Sequence, residues 1–232
     1  MKLLGAVLFP LVLVLFSSCA SVSVKSERLH TSKAVQKPAK IYVVDFGTAS
    51  GAYKIAGSES KDPETFKKKI AGVLANYTVK SVNDHCVPAE RVTSPRGLPR
   101  NGWLVTGEFI RVNTGSRVLR AGVGLGAGGS KMETRVSVID LAGNAQPFLT
   151  FETTGGSNAM PGLLESSGPG SAVISMTSQA MLGVTDDSAR TGRMIAGELN
   201  TYMIEHGMLP KDKKYSAKKL GDYQLIHEQY FH

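Results

Sequence analysis

Apolar and polar positions along the chain fall into three registers. The first is an unbroken apolar run, Leu3 to Phe16, set behind Met1-Lys2 and ahead of Ser17-Ser18-Cys19. The second is strand-like. Ile41-Tyr42-Val43-Val44-Asp45-Phe46, bounded by Pro38 and Gly47, reads as a buried strand. Trp103 to Val112 reads as a long strand closed by Asn113-Thr114-Gly115. From Met132 to Leu141, Val136 and Val138 alternate against Arg135, Ser137 and Ile139, and Phe148 to Glu152 returns after a turn at Asp140–Asn144. That pattern predicts a β-hairpin with a somewhat lengthened loop. The third register is helical. Phe66, Ile70, Val73, Leu74 and Tyr77 share one face behind Asp62-Pro63, an N-cap followed by a first-position proline. Ile195, Ala196, Leu199, Tyr202 and Met203 form a second such face, with Asp186 or Asp187 expected as the cap and Gly207 as a left-handed C-cap before Pro210.

Two helices and several strands that must bury one face each predict an α+β domain. Its expected form is a mainly antiparallel central sheet of about four or five strands, with two amphipathic helices packed on one face. The expected organisation is a signal at 1–18, a flexible tether at 19–40, one domain over 41–209 and a basic tail at 210–232. Within the domain, 47–61 reads as a polar loop, 83–101 with Pro88, Pro95 and Pro99 as an irregular connection, and 157–185 as a small-residue insertion.

The first register decides the expected location. Leu3–Phe16 is shorter than the ~18–20 residues needed to span a bilayer. An ordinary cleaved signal would want a small residue where Phe16 stands, three before Cys19. Phe16-Ser17-Ser18-Cys19 resembles the bacterial lipobox, with Phe16 in place of the usual Leu. That resemblance implies acylation of Cys19 and anchoring by palmitate-type chains. Ala20, rather than Asp, after the cysteine implies the outer membrane over inner-membrane retention. Plain secretion is the alternative.

Charge and cysteine content narrow the rest. The chain carries 27 Lys+Arg against 19 Asp+Glu, a net charge of +8. Such a balance permits attraction to anionic lipid or acidic polymers, though a merely solvated surface is the first expectation, and nucleic acid is not expected as a partner of an exported protein. Lys67, Lys68 and Lys69 read as a solvated helix face, and the tail lysines Lys211, Lys213, Lys214, Lys218 and Lys219 as an exposed segment. Only Cys19 and Cys86 are present, so an acylated Cys19 leaves Cys86 without a partner and no disulfide framework.

Little in the sequence signals catalysis. His85 beside Cys86 invites a thiol or metal reading, but the five histidines show no paired ligand spacing. Arg120 to Lys131 contains Gly122, Gly124, Gly126 and Gly128 alternating with Val123, Leu125 and Ala127. A phosphate-binding loop would need Gly-Lys-Ser/Thr opening a helix; here the order is Gly-Gly-Ser-Lys before a strand pattern. The alternation instead leaves one side of an extended ribbon without side chains. With the second small-residue region, Gly155 to Met176, it is expected to form a packing surface for a partner protein or self-association. Two flexible loops are the alternative.

Arg117-Val118-Leu119-Arg120 leading into the glycine alternation, Ser130, the strand ending in Asp140, the phenylalanine-rich strand and Gly155-Gly156 resemble a bacterial lipoprotein family catalogued as domain of unknown function 4410. Val43-Val44-Asp45-Phe46 and the final helix with Asp187, Arg190, Ala196 and Leu199 fit the same pattern, over roughly residues 40–209. The resemblance implies an exported, often lipid-anchored α+β domain with no established activity. The expected function is non-enzymatic, binding or scaffolding at the periplasmic side of the outer membrane, with no metal and no cofactor. Alternatives are an accessory subunit of an envelope transport or secretion complex, or an envelope enzyme on peptidoglycan or another acidic polymer using Asp45, Glu108 or Asp140.

Overall fold

A computed structural model of the chain describes residues 23–27, 35–115, 129–143, 146–157, 176–215 and 217. Cys19 and Gly122, Gly124, Gly126 and Gly128 lie outside the described residues.

The described residues form an α+β fold. The strands are β1 Ser23–Glu27, β2 Lys40–Val44, β3 Ala52–Lys54, β4 Ala89–Val92, β5 Gly102–Asn113, β6 Ser130–Asp140 and β7 Pro147–Ser157. The helices are α1 Pro63–His85 and α2 Met176–Glu205. One sheet runs β1-β7-β6-β5-β2-β4, with β3 also paired to β5. Its long pairings, β5 with β6 and β6 with β7, are antiparallel, as is β1 with β7. The β2, β3 and β4 pairings are parallel.

Seven strands replace the four or five expected, and the additions all lie in polar stretches. β3 sits in the expected loop at 47–61, β4 in the connection at 83–101, and β1 in the stretch read as a tether. β4 reads Ala89-Glu90-Arg91-Val92, a short, largely exposed strand held by β2, so no apolar alternation marks it.

The core follows the alternation. Inward positions Val105, Phe109, Met132, Val136, Val138, Leu149 and Phe151 pack against Phe66, Ile70 and Leu74 of α1 and Ile195, Leu199 and Met203 of α2, all essentially without solvent contact. The helices meet where α2 carries Gly192. A Cβ there would lie 2.8 Å from the Tyr77–Thr78 backbone, so only glycine permits the approach. α1 starts as expected, with Asp62 accepting from the Thr65 N–H at 3.1 Å and Pro63 in the first turn.

α2 begins ten residues before the expected cap. Asp187 is fully buried in its middle, and Asp186 is also internal. The 172–184 stretch carries no charged residue to mark an exposed side, so its helical period is hidden in the sequence. The C-terminus matches expectation. Gly207 has φ +70° and the Met208 N–H reaches back to the Met203 carbonyl at 2.7 Å.

Candidate functional site

The sheet's outward face is polar. Glu108, Arg135 and Glu152 stand opposite one another across β5, β6 and β7. Arg135 donates to Glu108 at 2.9 Å and to Glu152 at 2.8 Å, which holds its guanidinium above its ordinary pKa, Glu152 contributing most. One row along, Glu133 takes Lys131 at 2.6 Å and Arg111 at 3.6 Å, so two cations share one carboxylate. The three candidate carboxylates of an enzyme do not converge. Asp45 is held bidentately by Arg91 at 2.7 Å, and Glu108 sits in the row just described, also accepting from Ser50 at 2.6 Å. Asp140 caps its own turn through the Ala142 N–H, five positions along β5 from the Glu108 row.

His85 and Cys86 are likewise occupied structurally. The imidazole stacks on Tyr215, centroids 3.5 Å apart and rings 9° from parallel. The Cys86 thiol faces the Ala196 carbonyl at 3.5 Å, and burial pushes its pKa up to about 12, so it stays a thiol at neutral pH. No group of three or more His, Cys, Asp or Glu residues among the described residues could hold a metal.

What the fold does bring together is the rooting of the two small-residue stretches. The segment containing Gly122–Gly128 leaves after Gly115 and re-enters at Ser130; the segment of 158–175 leaves after Ser157 and re-enters at Met176. Asn113 pairs with Lys131 and Ser130 with Ser157, so both segments spring from adjacent strands at one end of the sheet. The roots are well fixed. Thr114 is buried, its N–H donates to the Lys54 carbonyl at 3.0 Å, and its hydroxyl accepts from the Ala56 N–H at 2.9 Å. The Gly115 N–H is held by Asn113 Oδ1 at 2.9 Å. Ser130 lies so close to α2 that a Cβ on Gly183 would come within 3.1 Å of its hydroxyl.

Beneath this end the interior turns polar. Thr134 and Thr153 share a buried hydrogen bond of 2.7 Å between facing strands. On α2, Asp187 pairs with Arg190 at 3.4 Å, and Ser188 donates to the Val184 carbonyl at 2.8 Å. The hydroxyls of Thr185 and Thr191 are buried and find no partner among the described residues.

Sequence reasoning missed a second constellation at the opposite end. Asn200 is fully buried; its amide donates to the His85 carbonyl at 2.7 Å and the Lys213 carbonyl at 3.1 Å. Its Oδ1 accepts from the Tyr215 N–H at 2.9 Å. The start of the expected tail is therefore clasped to α1 and α2. An asparagine interrupting the apolar Ala196–Leu199–Met203 stripe was the available signal.

The match of a family model, Domain of unknown function (DUF4410), to residues 41–193 agrees with the resemblance carried by the glycine alternation and the flanking strands. The chain belongs to that family. No curated protein matches it. Among solved structures it is similar to a PelC dodecamer from Paraburkholderia phytofirmans, at 11% identity and TM-score 0.40 over 76% of this chain and 98% of that one. It is also similar to a structure described as a neuraminyllactose-binding hemagglutinin homolog from Helicobacter pylori, at 10% identity and TM-score 0.37 over 77% of this chain and 96% of that one.

Proposed function

We propose that this member of the family is a non-enzymatic, lipid-anchored envelope protein. It acts by binding or scaffolding at the periplasmic side of the outer membrane. Cys19 carries the anchor, and the small-residue end of the domain carries the partner surface, for another protein or a second copy. The signal and lipobox-like residues at 1–19 support the anchor. The pairing of Ser130 with Ser157 is the observation that carries the binding reading, because it roots both glycine-rich stretches side by side. Loops held on a rigid sheet are the usual place for binding residues. The structural engagement of Asp45, Glu108 and Asp140, each with its own ion pair or turn, counsels against assigning them chemistry.

The test is fractionation and detergent pull-down of the intact protein beside two variants. Cys19→Ala is expected to move the protein from the membrane to the soluble fraction and to abolish labelling by a palmitate analogue. Gly124→Arg with Gly126→Arg is expected to keep the anchor while losing the co-purified partner or the self-association. Unchanged partition of Cys19→Ala would overturn the anchor. Unchanged partners and oligomeric state in the double arginine variant would overturn the surface.

A further inference from the structure

We infer that the sheet end bearing Lys54, Arg111 and Lys131 faces anionic lipid headgroups, so that the partner proposed above is met at the membrane surface, with the lysine tail on the far side of the domain. The inference rests on the anchor reading of Cys19 and adds an orientation to it. Register supplies the first part. Ser23, the first residue of β1, pairs with Thr154, which pairs with Glu133, which pairs with Arg111, so these four form one row across the sheet. β1 runs antiparallel to β7, so Ser23 is the β1 residue nearest the end where β7 finishes at Ser157. Ala20, Ser21 and Val22 alone separate Cys19 from that row. Four residue steps reach at most about 14 Å. An acyl chain on Cys19 thus brings this end, and no other, to the membrane surface.

Charge supplies the second part. Lys54 stands beside Asn113, and Asn113 beside Lys131, in the row next to Arg111. Lys54 is exposed and makes no ion pair among the described residues, while Arg111 and Lys131 divide the single Glu133 carboxylate. The patch is net positive, and cations within a Debye length of an anionic leaflet are attracted to it. The competing basic region is the tail. Its root, Lys211 to Lys214, is fastened by Asn200 at the opposite end. β5 spans the distance between the two ends, and its 12 residues measure about 40 Å. Those lysines sit well beyond the reach of the surface potential.

Lysine footprinting tests this. The intact acylated chain in phosphatidylcholine/phosphatidylglycerol vesicles is labelled with a water-soluble amine reagent and compared with the unanchored Cys19→Ala chain. Lys54 and Lys131 are expected to label at least five-fold more slowly on vesicles, and Lys211, Lys213 and Lys214 to change less than two-fold. Equal labelling of Lys54 and Lys131 in the two chains, or protection confined to the tail lysines, would overturn the orientation. If the chain fails to float with vesicles, the anchor reading has failed instead. Coupling Cys19 of a Cys86→Ser chain to a maleimide phospholipid then supplies the same tether, and the labelling pattern still decides the orientation.

Discussion

At one end of the sheet Trp103, Phe148 and Tyr202 pack as an aromatic cluster, with ring centroids 4.8–6.0 Å apart, and Asn200 clasps the chain beyond α2 to the end of α1. At the other end Thr114, Ser130, Thr134, Thr153, Asp187, Ser188 and Thr191 are buried among Val112, Met132 and Val184, so the interior there is mixed, and the two connections that leave this end are glycine-rich. Apolar burial contributes roughly 25 cal/mol per Å², whereas a buried hydrogen-bonded hydroxyl contributes little net free energy. The aromatic end therefore holds the fold, and the polar end is free to carry small-residue segments whose conformational entropy would weaken a core element. Proteins commonly separate scaffold from binding loop in this way.

Substitutions at the two ends should differ accordingly, and Trp103→Ala should show the largest effect. Its ring is almost completely buried, and its indole N–H donates to the Gln36 carbonyl at 3.1 Å. Loss of a core tryptophan costs about 3–5 kcal/mol, read as a lower midpoint in urea unfolding. A loss below about 1 kcal/mol would remove the aromatic end from the role of scaffold.

Asn200→Leu should follow, at about 1–3 kcal/mol, because it removes three part-buried hydrogen bonds, to the His85 and Lys213 carbonyls and from the Tyr215 N–H, at once. The variant should also release the segment after Pro210, so trypsin should cleave after Lys211, Lys213 and Lys214 faster than in the parent. Unaltered cleavage would show that the clasp does not hold the tail.

Much of the aromatic end was legible in the sequence. Trp103 opens the longest strand, Phe148 the returning one, and Tyr202 lies on the periodic face of the last helix. These elements advertise themselves because each has one buried and one exposed side. The clasp was not legible, since it joins positions 85, 200, 213 and 215, which only the folded chain brings together. At the polar end the sequence displayed the glycine alternation but hid what surrounds it. Asp187 looked like a cap because acids favour helix starts, and only burial revealed it as an interior ion-pair partner of Arg190. β1, β3 and β4 were hidden for a related reason: short strands held by register with a neighbour need no apolar pattern of their own.

Within the polar interior, Thr134 and Thr153 offer a sharper test of the contrast. Thr134→Val or Thr153→Val alone leaves one hydroxyl without its partner in a dry site and should cost about 1–2 kcal/mol. The double replacement removes both groups and keeps the volume, so it should recover most of that loss. A double-mutant cycle by urea unfolding measures the coupling. If the double variant falls by the sum of the singles, the hydroxyls bond to other groups and the interior at this end is not a self-contained polar pair.

The smallest effect is expected on the outward face. Arg135→Met removes the centre of the Glu108–Arg135–Glu152 row, yet these side chains are 39–49% exposed. Exposed ion pairs contribute at most about 1 kcal/mol, because water screens the charges and ordering long side chains costs entropy. The expected loss is below that figure in low salt and shrinks further in about 1 M salt, where the Debye length is only about 3 Å. Unfolding at the two salt concentrations reads the difference directly. A salt-insensitive loss above about 2 kcal/mol would require the row to be shielded from water, and the domain alone offers nothing on that face to shield it among its described residues. A covering surface on the sheet, away from the glycine-rich end, would then be the better candidate, and the proposed partner site at that end would have to move.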